Sequence, residues 1–298
     1  MGLYFLYLLL NYFYLDKIKI KFVKVNNNMA KIQTGQIIAE VTRKEYITEH
    51  YIRVYLYSPD VQQFKDTTIG DNNKIAVPPK GLNEIHFPTL DENHQWIHPS
   101  KELAPSIRTY THRGINLGKN EIFIDFVDHG DGGPASRWVR EAEVGSKLGV
   151  MMRVEGKELY PQADWYFLIG DGTAIPVLSA ILETLPETAK GVCIIEVHGK
   201  EDEQVLETKA DITFIWVHNP EPHVKSDLAQ VVKTVEIPET SKFGYVATEF
   251  SSVKEIRSYL RKEKSWTQQE LYAYSYWKAG VAENESQADR QKEKNAVD

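Results

Sequence analysis

A short segment of the sequence combines an arginine, a tyrosine and two threonines in alternation. If the segment is a strand, Arg108 and Tyr110 point to one face. Thr109 and Thr111 then point to the other. Arginine can bind a phosphate through two hydrogen bonds, a tyrosine ring offers a stacking surface, and a hydroxyl can bind a ring nitrogen. The segment suits a phosphorylated aromatic ligand, although such a pattern alone is more often an edge strand with a solvated polar face.

A glycine-rich segment follows one predicted hairpin later, at residues 129–138, and leads into a predicted helix. Its three glycines allow the backbone to approach a ligand closely, and Pro134 stands where the helix would begin. Ser136 and the free N–H groups of the first helical turn could bind an anion. Because this helix start follows the Arg108 strand closely, both could contact one pyrophosphate. The alternative is a hairpin turn with a surface helix.

A second glycine turn, at residues 170–176, joins an apolar strand to a helix. It contains Gly170, Asp171 and Gly172 but lacks the third glycine of the dinucleotide-binding fingerprint. It lies where the first strand of a parallel sheet would end, which is the edge where open α/β sheets bind nucleotides. The segment is a candidate nucleotide site or an ordinary strand–helix turn.

The elements that must position these residues change character along the chain. Residues 31–160 contain short segments of alternating apolar and polar residues, separated by glycine, proline and asparagine. This pattern is typical of antiparallel strands in a barrel or sandwich. One helix is predicted among them, at residues 135–141. Strands are predicted at residues 36–43, 50–57, 74–77, 107–111, 122–127 and 147–154.

Beyond a boundary near Tyr160-Pro161, continuous apolar strands alternate with helices over residues 161–264, which indicates a parallel sheet covered on both faces. We therefore predict an N-terminal antiparallel β-barrel followed by a C-terminal parallel-sheet α/β domain. The segment 265–298 follows, and its tail from about Val281 is predicted to be disordered because it contains no aromatic residue. Strands are predicted at residues 165–170, 192–197, 212–218 and 243–247, and helices at 174–185, 228–235 and 253–262.

The composition restricts what else the protein could be. The 298 residues include 35 Lys+Arg and 42 Asp+Glu, and the net charge of −7 argues against a nucleic-acid-binding protein. The one cysteine, Cys193, excludes an internal disulfide, a four-cysteine zinc site and an iron–sulfur cluster. Any redox chemistry must then use an organic cofactor, and no resident metal site is predicted.

The first 28 residues differ from the rest, because an aromatic and aliphatic run to Leu15 precedes four lysines. The run is shorter than the ~20 residues that span a bilayer. Its positive charge follows the apolar run, whereas a signal peptide has the charge first. We interpret residues 1–28 as a non-native or disordered extension, with translation starting at Met29. The alternative is a weak anchor at a membrane surface, and stable membrane insertion is not expected.

Together, the motifs resemble the siderophore-interacting proteins, which are FAD-binding, NAD(P)H-dependent ferric-siderophore reductases of the ferredoxin-reductase superfamily. The resemblance covers about residues 36–283 and implies an FAD-binding barrel, an NAD(P)-binding domain and a C-terminal segment that returns over the flavin. It depends on four segments, which are Arg108-x-Tyr110-Thr111-x-Arg113, His129-Gly130-x-x-Gly133-Pro134-Ala135-Ser136-x-Trp138, Gly170-Asp171-x-Thr173-Ala174 and Tyr276-Trp277-Lys278-x-Gly280.

The resemblance also implies roles for individual residues. Arg108 and Ser136 would hold the FAD pyrophosphate. Tyr110 would pack against the isoalloxazine and Thr111 would hydrogen-bond near flavin N5, so these two would lie closest to the chemistry. The segment 172–174 would border the nicotinamide nucleotide. Further cofactor contacts are expected at Arg113, His129, Gly133, Ala135, Trp138, Asp171, Gly172, Thr173, Ala174, Glu249 and Trp277.

Two departures from the family pattern bear on the cofactor and the substrate. Thr248 stands where the family usually has glycine, and it is expected to crowd the nicotinamide. Lys278 stands where the family usually has arginine, which keeps the charge but loses the planar fork. The sequence leaves the choice between NADH and NADPH open. His198 and Lys200 could bind a 2′-phosphate, which the acidic residues 201–203 would oppose.

The implied function is the reduction of Fe³⁺ in a bound siderophore by NADPH or NADH through FAD, in a cytoplasmic monomer. The alternatives are a general NAD(P)H:flavin or quinone reductase and a non-enzymatic siderophore-binding protein. An anionic chelate would need a locally basic entrance on this acidic protein. Each candidate cation could equally be a solvated surface charge. The candidates are Lys74, Arg113, Arg153 and Lys278.

Overall fold

The computed structural model describes residues 33–93, 95–128, 130 and 133–294, which are built around two large sheets. The predicted extension at residues 1–28 and the predicted cofactor residue His129 lie outside the described residues. No helix in these ranges combines the length and apolar character that a membrane span requires.

Seven strands of the N-terminal half form one antiparallel sheet in the order β6-β3-β9-β1-β2-β8-β7. Strands β4 and β5 form a separate hairpin, and helix α1 (Pro134–Glu141) joins β8 to β9. The strand bounds are β1 Thr34–Thr48, β2 Tyr51–Tyr57, β3 Asn72–Val77, β4 Thr89–Leu90, β5 Trp96–Ile97, β6 Ser106–Thr111, β7 Gly114–Asn116, β8 Glu121–Val127 and β9 Lys147–Arg153.

The alternation in the sequence decides which face of this sheet is buried. In β1, Ile37, Ala39 and Val41 are buried while the residues between them are exposed. The matching residues of β2 and β8 complete one apolar core. The sheet curls so that Tyr110 of β6 meets Phe126 of β8, with ring centroids 4.7 Å apart. The predicted antiparallel barrel is confirmed.

Five strands of the C-terminal half form a parallel sheet in the order β12-β11-β10-β13-β14. The strand order reverses on the two sides of β10, and such switch points are where doubly wound sheets bind ligands. The strands are β10 Trp165–Asp171, β11 Lys190–Val197, β12 Asp211–His218, β13 Lys242–Glu249 and β14 Leu271–Trp277, and the helices are α2 Ile175–Thr184, α3 Leu228–Lys233, α4 Phe250–Ser258 and α5 Glu283–Lys294.

Both faces of this sheet are covered, which explains why its strands are apolar without alternation. Every residue of β10 is buried. Leu168 faces a cluster that includes α2, whereas Phe167 and Ile169 face a cluster that includes α3 and α4. Cys193 lies fully buried in β11. The predicted α/β domain is confirmed.

The C-terminal segment differs from the prediction in two respects. Strand β14, which the sequence analysis did not predict, adds the fifth strand of the sheet. The predicted disorder from about Val281 is wrong for residues 283–294, which form helix α5. Arg290 attaches this helix by donating to the backbone oxygens of Tyr276 at 2.8 Å and Ser275 at 3.2 Å. Composition does not reveal such a tertiary attachment.

The two halves contact each other directly. Tyr51 of β2 lies in the same apolar cluster as Leu168 of β10. Arg113, which joins β6 to β7, donates to Glu183 of α2 at 2.5 Å. The predicted domain boundary near Tyr160-Pro161 falls in the connection between β9 and β10.

Candidate functional site

Strand β6 carries the arginine–tyrosine motif at the end of the barrel sheet. Tyr110 packs against Phe126, and burial raises the pKa of its phenol well above the usual range. Nη1 of Arg108 donates to the carbonyl oxygen of Ile107 at 2.8 Å. The Thr111 side chain is buried. The phenol of Tyr110 therefore stays protonated and offers its ring as a surface.

Two polar side chains beside this motif are buried and make no hydrogen bond within the described structure. Asn73 stands opposite Tyr110 in the β3–β6 pair, and neither atom of its amide is bonded. His112 follows Thr111, is 0% exposed, and neither ring nitrogen is bonded. Burial lowers the pKa of His112 to about 4, so its ring is neutral near pH 7. An unsatisfied buried polar group costs roughly 1–3 kcal/mol, so the pair marks a position for a polar ligand.

The sequence analysis missed both residues. For Asn73, the one available signal was its position just before the apolar run Ile75-Ala76-Val77, which is buried in β3. For His112 there was no signal, because its importance comes from burial rather than from residue type.

The start of α1 lies at the end of β8, close to this motif. Gly133 is the N-cap and has no side chain to satisfy the first-turn N–H groups, and Pro134 is the first helical residue. Ser136 is fully buried, with its hydroxyl 3.5 Å from the carbonyl oxygen of Val127. Ala135 is buried beside it. This helix start could bind an anion.

Trp138, a predicted cofactor contact, lies on the opposite side of α1 from the solvent. Its indole is 7% exposed and packs in the barrel core, with its ring centroid 5.7 Å from that of Phe126. Trp138 is therefore a residue of the barrel core.

Asp171 connects three segments at the carboxyl end of the parallel sheet. Its Oδ1 accepts from the backbone N–H of Thr173 at 2.9 Å and from the Thr173 hydroxyl at 2.5 Å. Its Oδ2 accepts from the hydroxyl of Thr248 and from Nε1 of Trp277, both at 2.8 Å. One carboxylate thus fixes the glycine turn that contains Gly172 and Ala174, the end of β13 and the end of β14.

Burial raises the pKa of Asp171, while the hydrogen bonds that it accepts act in the opposite direction. Thr248 is 1% exposed, and its hydroxyl serves Asp171. The structure thus gives the threonine a bonding role that the sequence did not suggest.

Glu249, a predicted cofactor contact, has its carboxylate occupied by backbone groups. Oε2 accepts from the N–H of Ser251 at 2.5 Å and caps α4, and Oε1 accepts from Ala279 at 3.1 Å. A cofactor contact through this carboxylate would have to share it with the helix cap.

Tyrosines of β13 and β14 line the junction between the two sheets. Tyr245 stacks on Tyr272 with ring centroids 4.5 Å apart, and its hydroxyl lies 3.5 Å from that of Tyr276. Burial raises the pKa of Tyr276, and the charge of Asp71 in the barrel acts in the same direction. Asp71 itself accepts from the N–H of Asn72 at 2.7 Å and pairs with Arg153 and Lys157. The candidate site lies where this layer meets the barrel.

Each cation predicted to bind the substrate is close to a carboxylate. Arg113 contacts Glu183 and Asp125, and Arg153 lies 3.7 Å from Asp71. A substrate contact from Arg113 would require it to leave Asp125 within the barrel and Glu183 of the α/β domain. The locally basic entrance that the sequence analysis expected is therefore neutralised at each of its four members.

The two lysines of this set are paired with helix α5. Lys74 lies 2.5 Å from the Thr109 hydroxyl and 3.6 Å from Glu283. Lys278 lies 2.6 Å from Asp289 and 4.8 Å from the ring centre of Phe250. Helix α5 thus borders the arginine–tyrosine strand, which was visible neither from composition nor from spacing.

An antiparallel barrel sheet followed by a parallel sheet is a fold shared with phthalate dioxygenase reductase and with the ferredoxin reductase in carbazole 1,9a-dioxygenase, at 16% and 14% identity. The matched FAD-binding domain, together with a reductase among the relatives, defines the protein as an FAD-dependent oxidoreductase. The family model for the siderophore-interacting FAD-binding domain matches residues 40–154, and that for the siderophore-interacting protein matches residues 163–280. The chain belongs to the siderophore-interacting protein family.

Three relatives illustrate this membership. The ferric vibriobactin reductase ViuB of Vibrio cholerae is 31% identical over 255 residues, which cover 85% of this chain and 93% of that protein. The siderophore-interacting protein SipS of Aeromonas hydrophila superposes with a TM-score of 0.73 at 27% identity, covering 86% of this chain and 97% of SipS. A siderophore utilization protein from T. fusca also gives 0.73 at 27% identity, covering 84% and 95%. The family predicted from the sequence is confirmed.

Proposed function

We propose that the protein uses NADH or NADPH to reduce ferric iron held in a siderophore, and that the iron leaves the chelate as Fe(II). The observation that carries this proposal is the pair of buried, unbonded polar side chains, Asn73 and His112, beside Tyr110 and Thr111. They lie within the segment that matches an FAD-binding domain. The polar atoms along the edge of an isoalloxazine ring would form the hydrogen bonds that these two side chains lack.

The residues present fit FAD. Arg108 and the start of α1 would hold the pyrophosphate, because a guanidinium and free helical N–H groups are both anion donors. Tyr110 would cover the ring. Asn73, Thr111 and neutral His112 would bind its polar edge. Bound FAD would supply a group that accepts a hydride and releases electrons singly, which a one-electron acceptor such as Fe³⁺ requires.

On the nicotinamide side, the chain would bind the nucleotide mainly through backbone N–H groups. Asp171 holds the turn at Gly172 and Thr173 in place by its own hydrogen bonds. The N–H groups of this turn, at the start of α2, would then meet the nucleotide phosphates. Trp277 is held by the same carboxylate and would position the C-terminal segment at the flavin.

At the substrate end, the role of the chain is electrostatic. Siderophore chelates are often anionic, so Lys74 and Lys278 would attract them. Each lysine now contacts a carboxylate of α5, Glu283 or Asp289. Binding of an anion would weaken these pairs, which makes the edge of α5 part of the entrance.

The experiment is an anaerobic titration of the purified protein. We expect a yellow protein whose absorbance near 450 nm is bleached by NADH or NADPH and is restored by a ferric siderophore, with Fe(II) trapped by ferrozine. A protein that neither nucleotide bleaches would overturn the proposal. Faster turnover of free flavin or quinone than of any ferric chelate would favour a general reductase instead.

We also propose that the protein works as a cytoplasmic monomer. NAD(P)H is supplied in that compartment, and the free buried thiol of Cys193 needs no oxidising environment. Fractionation of cells and light scattering of the purified protein test these two points. A periplasmic location or a stable dimer would contradict them.

A further inference from the structure

A cluster of two histidines and two carboxylates lies between the domains. His50 comes from the turn between β1 and β2 of the barrel. His198, Glu201 and Asp202 come from the turn after β11 of the α/β domain. One nitrogen or oxygen atom from each side chain lies within 4.8 Å of the others. The sequence could not reveal this group, because 152 positions separate His50 from Asp202.

The distances within the cluster suit a small metal ion. His50 Nδ1 lies 2.8 Å from Asp202 Oδ2, and His198 Nδ1 lies 3.1 Å from Glu201 Oε1. The two imidazole rings lie 4.6 Å apart between centroids. In a tetrahedral zinc site with bonds of about 2.0–2.1 Å, neighbouring ligand atoms are about 3.3–3.4 Å apart. Only small side-chain movements separate the observed arrangement from such a site.

The carboxylate of Asp202 is oriented by groups outside the cluster. It is 4% exposed, and its Oδ1 accepts from the hydroxyl of Thr48 at 2.7 Å and from the N–H of His50 at 3.1 Å. These bonds leave Oδ2 directed at the imidazole of His50. Metal ligands are commonly fixed by such a second layer of hydrogen bonds.

The other carboxylate depends on a glycine. A Cβ atom at Gly199 would lie 2.3 Å from Oε1 of Glu201. Glu201 can therefore fold back toward His198 only because position 199 has no side chain. This gives a way to displace one ligand without removing it.

We propose that His50, His198, Glu201 and Asp202 bind one divalent transition-metal ion, of which Zn²⁺ is the best match, and that this ion clamps the two domains together. Two imidazoles and two carboxylates are a donor set typical of Zn²⁺, whereas Mg²⁺ and Ca²⁺ prefer sites made only of oxygen. Two carboxylate ligands would together contribute a charge of −2, which a divalent cation neutralises. The proposal does not require the reductase activity, and a His198 that binds zinc would not be available for the 2′-phosphate of NADPH.

The test measures zinc binding to the full-length, untagged protein after treatment with EDTA. Isothermal titration should give one Zn²⁺ per chain, no binding of Mg²⁺, and a higher unfolding temperature with Zn²⁺. His50→Gln and His198→Gln should each weaken zinc binding by about 100-fold and abolish the temperature shift. His198 is half exposed, so its replacement leaves the core intact.

Two further variants make the test specific. His218→Gln is the matched control, because His218 lies 2.8 Å from Glu203 in an isolated pair of similar exposure. It should bind Zn²⁺ as the wild type does. Gly199→Ala should weaken binding by about tenfold while the unfolding temperature without zinc stays the same. If the wild type binds no zinc stoichiometrically, or if His50→Gln and His198→Gln bind it unchanged, the four side chains are ion pairs only and the proposal is overturned.

Discussion

The two sides of the proposed cofactor site satisfy their polar groups in different ways. In the barrel, Asn73 and His112 are buried and bond nothing in the described structure. At the end of β10, Asp171 is buried but accepts hydrogen bonds from Thr173, Thr248 and Trp277. The two barrel side chains lack partners in the absence of a ligand, whereas the carboxylate of Asp171 finds its partners within the protein. This difference suits a resident flavin on one side and a nucleotide that leaves at every turnover on the other.

The largest expected effect concerns acid stability of the barrel side. The pKa of His112 is about 4 in the folded protein and near 6.5 in the unfolded chain. Below pH 6.5 the unfolded chain gains a proton that the folded protein does not, so stability is lost as the pH falls from 6.5 to 4. The loss from this residue is about 3 kcal/mol.

Urea unfolding of flavin-stripped protein between pH 4 and 7 measures this effect. His112→Leu should flatten the profile relative to the wild type by that amount. Asn73→Ala is the control, because an amide does not titrate and the slope should stay the same. A wild-type profile as flat as that of His112→Leu would show that the imidazole is solvated, and the contrast between the two sides would fail.

The second prediction concerns flavin affinity. Arg108→Ala should raise the Kd for FAD by about 30-fold, since a charge-assisted hydrogen bond contributes about 2 kcal/mol. Flavin fluorescence during titration gives the value. Arg43→Ala is the control, because Arg43 lies over the ring of Tyr55 and contacts Glu121 elsewhere on the barrel. Equal affinities of the two variants would remove Arg108 from the flavin site.

The third prediction concerns the hydrogen bonds of Asp171 at the end of β10. Thr248→Val keeps the shape but removes one donor to Asp171, so the free energy of unfolding should fall by about 1 kcal/mol with FAD affinity unchanged. Thr234→Val removes a hydroxyl that bonds Val231 on the surface and should change less. A loss of flavin from Thr248→Val would mean that the two sides are coupled.

The smallest effect concerns the substrate. Lys278→Glu should raise the KM for an anionic ferric chelate several-fold, since an exposed charge contributes about 1 kcal/mol or less, while flavin content stays the same. Lys147→Glu is the matched control, because Lys147 is also paired with a carboxylate, Glu84, but lies on the barrel. An unchanged KM would remove Lys278 from the entrance.

The sequence predicted most of the fold because its two hydrophobic patterns are distinct. The alternation in β1 indicates a strand with one buried face. The unbroken apolar run of β10 indicates a strand that is buried on both faces. Strand β14 escaped prediction because its buried positions include the small residues Ala273 and Ser275, between aromatic residues that are only half buried. Helix α5 escaped because its attachment depends on side-chain contacts with residues distant in sequence, such as those of Arg290 with Tyr276 and of Glu283 with Thr109.

The candidate site could be predicted only where backbone geometry and residue type coincide, as in the glycine turn at Gly172, whose role stays a prediction. It was missed where distant residues meet. Asn73 and His112 matter because tertiary packing buries them, and no local pattern reports that. The basic entrance was expected because lysines and arginines occur near the motifs. The sequence did not reveal that each of them lies beside a carboxylate, as Lys278 does beside Asp289.

The bond from Trp277 to Asp171 spans 106 residues of chain. During synthesis the carboxylate of Asp171 emerges from the ribosome long before its indole partner, because β14 is the last strand of the sheet in the chain. The barrel has all its strands by Arg153 and can fold as the chain lengthens, since domains generally fold as units from the N-terminus. The nucleotide side must wait for nearly the whole polypeptide. A prematurely ended chain would therefore yield a folded barrel attached to an unfinished sheet.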